Sequence, residues 1–104
     1  MTRCEFFTEN DRINGFSISG HSGYATAGSD IVCAAVTSAL RLTECTINDV
    51  YHADAAVSVD DRTAKITLSL RSPDRDCERV LEGFLLYMRE LSKENPNHLT
   101  VLEV

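Results

Sequence analysis

Hydrophobic and polar residues along this chain change their period four times, and each change marks an element. Residues 3–8 mix Phe6, Phe7, Cys4 and Thr8 in a strand-like run, and Glu9-Asn10-Asp11-Arg12 has turn chemistry. Residues 13–19 follow, with Phe16 and Ile18 alternating against Ser17 and Ser19. This pattern predicts an antiparallel hairpin closed by Gly20. Residues 31–49 contain no proline or glycine and are rich in alanine and leucine, which predicts a long helix with Ser29 or Asp30 as its cap. Its apolar positions, Ile31, Val32, Val36, Ala39, Leu40, Leu42 and Ile47, run round much of the circumference, so the helix should be covered on more than one side.

Two-residue alternation returns at 55–60, with Val57 and Val59 on one face, and at 63–70, with Ala64, Ile66, Leu68 and Leu70 on one face. Asp60-Asp61-Arg62 makes the turn between them. A second helix is punctuated by Ser72 as cap, Pro73 at the first helical position and Asp74 and Asp76 in the first turn. Val80, Phe84, Met88 and Leu91 form its apolar stripe, Leu81 and Leu85 widen it, and Asn95-Pro96-Asn97 stops it before a last strand at 98–104. The order ββαββαβ predicts an α+β fold: a mainly antiparallel sheet with two helices packed on one face. Strand order does not follow from the pattern.

Composition narrows the class. At 104 residues, 43% hydrophobic and 25% charged, the chain suits a single domain spanning 1–104 that buries its own core. A net charge of −6 argues against nucleic acid as partner, because phosphate binding works through clustered lysine and arginine. Arg71, Arg75 and Arg79 come nearest to a cluster, but each sits among acidic residues and reads as a solvated, ion-paired face. The first residues lack the apolar core of a signal peptide, and no run could span a bilayer, so the expected location is the cytoplasm, away from membranes. In that reducing setting the four cysteines, at 4, 33, 45 and 77, should be thiols. Three of them, Cys4, Cys45 and Cys77, read as packing residues.

The candidate chemistry lies at 20–35, where a strand end, a glycine-bearing loop and a helix start bring His21 and Cys33 into one short span. With Asp30 as cap, Cys33 falls in the first turn, where the dipole favours a thiolate by about 0.3–1 kcal/mol. The Asp30 carboxylate opposes that, so the helix alone does not make a nucleophile from a thiol of ordinary pKa about 8.5. A neighbouring imidazolium does, and His21 is the histidine close in sequence. His52 and His98 read as surface or strand-edge residues. A zinc site would need further ligands and shows no short ligand pair, so no metal and no cofactor are expected.

Gly20-His21, a loop, and then Gly28-Ser29-Asp30-Ile31-Val32-Cys33-Ala34-Ala35-Val36 resemble the signature of the ribosomal-processing cysteine protease family, Prp. Length and element order are similar as well. The resemblance implies a homodimeric cytoplasmic endopeptidase that removes the short N-terminal extension of large-subunit ribosomal protein number twenty-seven, cutting after a motif that ends in aromatic residues. It makes Cys33 the nucleophile, His21 its base and Asp30 a supporting residue. The loop with Ser22, Gly23, Tyr24 and Gly28 would order over the peptide. Thr37 stands where the family has serine, keeping a hydroxyl, and Ser22-Gly23-Tyr24 departs from any fixed loop pattern.

The implied chemistry is acyl transfer: Cys33 attacks the scissile carbonyl, the oxyanion meets N–H groups at the helix N-terminus, and water releases the thioacyl-enzyme. The alternative is a non-catalytic domain that binds a ribosomal or other basic protein through the same cleft. A thiol redox domain would need a resolving cysteine, and Cys45 lies three turns along the helix from Cys33, out of reach of a disulfide.

Overall fold

The structure, a computed structural model, describes residues 1–20 and 27–104, with backbone alone for 27–30. Its elements are β1 (Thr2–Glu9), β2 (Arg12–Ser19), α1 (Ala27–Cys45), a π-helical turn (Thr46–Val50), β3 (Ala55–Asp60), β4 (Lys65–Leu70), α2 (Arg75–Glu94) and β5 (Leu99–Glu103). The expected order ββαββαβ is present, in one five-stranded sheet of order β3-β4-β2-β1-β5. All neighbours are antiparallel except β5, which adds to β1 in parallel.

Turn chemistry explains the central hairpin. Asn10 and Asp11 connect β1 to β2 with φ of 54° and 61°, and these residue types tolerate the left-handed region that a tight two-residue hairpin demands. The register then slips between Phe7 and Thr8, leaving Asn14 as the extra residue of a bulge. Gly15 follows because a Cβ there would run into the Leu68 carbonyl of β4. The turn between β3 and β4 is built differently: the Asp60 carboxylate accepts from the N–H groups of Arg62 (3.0 Å) and Thr63 (3.4 Å). Ala64 closes it at φ 50°, so β4 starts at Lys65, two residues later than the alternation suggests. A left-handed residue cannot continue the pleat.

Cross-strand register puts Cys4 opposite Ile18, Phe6 opposite Phe16, and both Phe16 and Ile18 opposite β4's Leu68 and Ile66, all on one face. Both helices bury their stripes there: Val32, Val36 and Leu40 from α1, and Cys77, Leu81, Phe84, Leu85, Met88 and Leu91 from α2. Phe84 joins edge-on to Phe6 and Phe16, with ring centroids 5.5 Å and 4.9 Å apart. The opposite face carries Arg3, Glu5, Ser17, Ser19, Thr67 and Ser69 and no helix. Val57 and Val59 share the helix-bearing face, yet they remain exposed because β3 is an edge strand.

Both helix ends differ from expectation. Asp74, in extended conformation, caps α2 by accepting from the Cys77 N–H at 3.0 Å. Ser72 and Pro73 therefore lie outside the helix: Asp74 satisfies a free first-turn N–H with a full carboxylate charge against the positive end of the helix. At the other helix, regular α-structure ends at Cys45. The Thr46 hydroxyl donates to the Leu42 carbonyl at 2.7 Å, and Tyr51 N–H reaches back five residues to the Thr46 carbonyl at 3.0 Å. Hydroxyl competition for a helix carbonyl loosens the ladder into the wider turn seen here. Among the described residues no helix is long and apolar enough to cross a membrane.

At the hairpin end, Arg12 forks onto Glu78 of α2, with Nε–Oε1 at 2.6 Å and the second pair at 2.5 Å. The guanidinium's hydrogen bonds hold the buried Glu78 carboxyl below the usual range, although burial pulls the other way. A depressed carboxyl contributes stability that is present above its unfolded pKa and lost as pH falls through the folded value. Urea midpoints of wild type and Glu78→Gln should therefore differ at pH 7 and converge as pH drops below about 4, the ordinary range of the unfolded carboxyl.

Candidate active site

Cys33 lies on the sheet-facing side of α1, partly buried, with its Sγ 3.5 Å from the Oγ1 of Thr2. Thr2 is the first residue of β1 and is almost fully buried. Alternation from Cys4 and Phe6 puts its side chain on the helix-bearing face. The end of β2 arrives at the same place. Gly20 has φ 84°, and a Cβ on it would collide with the Met1 carbonyl oxygen and lie 3.5 Å from Thr2 Cα. Only glycine allows that approach in that conformation. Three chain segments thus converge: the start of β1, the end of β2 and the front half of α1.

Of the residues singled out from sequence, His21, Ser22, Gly23 and Tyr24 lie outside the described residues. Gly28 and Asp30 lie in the backbone of α1. This corrects the expected helix start. With α1 beginning at Ala27, Asp30 is helical and is not the cap, whose backbone must be non-helical. Cys33 falls in the second turn. Gly28 is tolerated inside the helix because a first-turn residue has few intrahelical bonds to lose.

The four cysteines separate by environment. Cys4 is fully buried on β1, and burial pushes its thiol up to about 12. Cys77 is buried at the start of α2; desolvation, then the charge and hydrogen bond of Asp74, push it up to about 11. Both are packing residues, as expected. Cys45 is exposed at the end of α1, which corrects the third packing assignment: the helix turns that residue to solvent where the π-turn begins. Cys33 alone combines partial burial with a polar contact to its sulfur. Two cavities, of about 270 Å³ beside Arg12 and about 510 Å³ between α1 and α2, are lined by other residues.

The family model of the cysteine protease Prp matches residues 1–100. The chain belongs to the Prp cysteine protease family. It is a cysteine protease, and a non-catalytic binding domain is set aside by that membership. Structure agrees at the level of fold. SMU.848 from Streptococcus mutans is 21% identical with a TM-score of 0.90, over 100% of this chain and 94% of that one. The essential ribosomal processing protease Prp from S. aureus in complex with a substrate peptide is 15% identical, with a TM-score of 0.90 and full coverage of both chains. The same S. aureus protease with a covalently linked product peptide is 16% identical at a TM-score of 0.86, again over 100% of each chain. No curated protein matches the chain.

Among the described residues, Thr2 touches the Cys33 sulfur and was not singled out by reading the Prp signature along the chain. Its signal was present in the alternation: Thr2, Cys4 and Phe6 are two apart, and extending the strand by one residue puts Thr2 on the core face. In the folded protein at neutral pH, iodoacetamide should label Cys33 and Cys45. Cys4 and Cys77, buried and with thiols titrating near 12 and 11, should react only after denaturation. Peptide mapping by mass spectrometry reads this directly, and native labelling of Cys4 or Cys77 would contradict it.

Proposed function

We propose that this protease is a cytoplasmic ribosomal-processing endopeptidase that removes the N-terminal extension of large-subunit ribosomal protein number twenty-seven, with Cys33 as nucleophile and His21 as base. The observation that carries the reading is the convergence at Thr2. The Cys33 sulfur touches its side chain, and Gly20 packs on its backbone. His21 directly follows Gly20 in the chain, and this reading makes it the base that a cysteine nucleophile needs.

In the reaction His21 takes the thiol proton and the Cys33 sulfur adds to the scissile carbonyl. The oxyanion turns toward the N-terminal end of α1, where first-turn N–H groups lack intrahelical acceptors. His21 returns the proton to the leaving amine, and water attacks the thioacyl-enzyme to regenerate the thiol. Asp30 stands three residues before Cys33 in α1 as a supporting acid, and Ser22, Gly23 and Tyr24 are the substrate-loop residues of this reading, while Gly28, expected in that loop, lies in α1. The net charge of −6 suits a basic, ribosome-bound substrate, since opposite potential speeds encounter.

A peptide spanning the extension and its cleavage motif, incubated with the purified protein and followed by mass spectrometry, tests the assignment. Cleavage should fall by at least about a thousandfold in Cys33→Ala and in His21→Ala, the loss typical when a nucleophile or its base is removed. Turnover at the wild-type rate in either variant would end the dyad.

The homodimer belongs to the same proposal. Ile31 and Leu42 of α1 are 71% and 70% exposed, and Leu42 and Tyr87 border the groove of about 510 Å³ between the helices. Ala35, Ala39 and Gly83 keep that groove shallow, which lets a second helix pair approach closely. A second copy would cover the apolar side of α1 that this chain leaves open. Light scattering should give twice the chain mass for wild type and a single chain mass for Leu42→Glu. A monomeric wild type would remove this part of the reading.

A further inference from the structure

We propose that Thr2 is a positioning residue for the nucleophile: its hydroxyl holds the Cys33 sulfur in place and donates to it when the sulfur is ionised. The inference rests on Cys33 being the nucleophile and adds a residue to that site.

Four observations carry it. The Thr2 side chain is only 2% exposed, so its hydroxyl needs a partner inside the protein. Among the described residues that partner is Cys33 Sγ, 3.5 Å away, and either atom can supply the proton. Thr2 is also fixed in place: its N–H donates to the His98 carbonyl at 2.9 Å, and it pairs with Leu99 of β5. A β-branched side chain on such a strand is stiff about χ1, so the hydroxyl oxygen has a set position.

The direction of the bond follows from the chemistry of the two groups. With Cys33 as a thiol, S–H donates weakly to the hydroxyl oxygen, and among the described residues the hydroxyl proton has no stronger acceptor. With Cys33 as a thiolate, the hydroxyl donates to a full negative charge, and hydrogen bonds to charged groups are the stronger kind. No covalent bond changes at Thr2. The proton leaving sulfur goes to His21, and Thr2 keeps its own. By the same bond the sulfur is held on the side of α1 that meets the start of β1.

Thr2→Val preserves the shape and removes the hydroxyl, while Thr2→Ser keeps the hydroxyl. In a Cys45→Ser background, where Cys33 is the thiol left accessible, the rate of iodoacetamide reaction at neutral pH should fall by about tenfold in Thr2→Val, equivalent to about 1.4 kcal/mol. Thr2→Ser should restore it. On the extension peptide kcat should fall by a similar factor in Thr2→Val with KM unchanged, because the bond strengthens only as sulfur takes up charge. If the valine side chain disturbs folding by circular dichroism, comparing Thr2→Ser with Thr2→Ala isolates the hydroxyl. Equal alkylation rates in wild type and Thr2→Val, or in the serine and alanine variants, would overturn the proposal. A wild type that cleaves no peptide but shows the Thr2-dependent alkylation supports Thr2 and defeats the endopeptidase assignment. Cleavage indifferent to Thr2 does the reverse.

Discussion

Burial of one face of the β1–β2 hairpin beneath both helices is the constraint from which the rest of this structure follows. Phe6, Phe16 and Phe84 meet at its centre, and Cys4, Ile18 and Leu68 extend the same apolar layer across three strands. α1 leads from β2 to β3 and α2 from β4 to β5, in each case passing to a strand that is not a neighbour of the one before. Both helices must therefore cross the sheet on the side where this layer lies. The other face carries serines, threonines and ion-paired Arg3 and Glu5, with Phe7 and Leu102 half-buried among them, and gathers none of the phenylalanine-centred core.

That arrangement also makes the site. β1 is an interior strand, flanked by β2 and β5; its first residue pairs with Leu99 of β5, and Gly20 after β2 packs beside it. The front half of α1 rests on the same end of the sheet and brings Cys33 against Thr2. β2 ends beside Met1 and Thr2 on a glycine that permits close backbone approach. A thiol on a packed helix, met by the first residue of an interior strand, is held in a more reproducible geometry than one assembled on loops. The opposite end of the hairpin is fastened by the Arg12–Glu78 fork, so each end of the central pair is tied to a different helix.

The sulfur chemistry divides along the same lines. Cys4 and Cys77 are enclosed by the apolar layer, which disfavours their charged form, whereas Cys33 lies at the margin where a polar side chain reaches it. Cys45, where α1 gives way to the π-turn, faces solvent. Nothing in the local sequence around these four residues ranks them by burial; the tertiary packing does.

Much of the architecture was legible in the chain itself, because periodicity and turn chemistry are local. Two-residue alternation marked the strands, the Asn10-Asp11 pair marked the hairpin, the apolar stripe from Val80 to Leu91 marked α2, and Gly20, His21 and Cys33 marked the family. Local rules misjudged the ends of elements. Ser72 was as good a cap as Asp74 until the backbone chose between them, Asp30 read as a cap because the helix before it begins with an unpromising Ala27-Gly28, and Ala64 read as strand. Tertiary structure alone decided that β5 joins β1 in parallel, that Thr2 meets Cys33, and that Arg12 meets Glu78. These are contacts between residues 31 to about 100 positions apart, and they exist only after the two crossovers bring distant strands and helices onto one buried face.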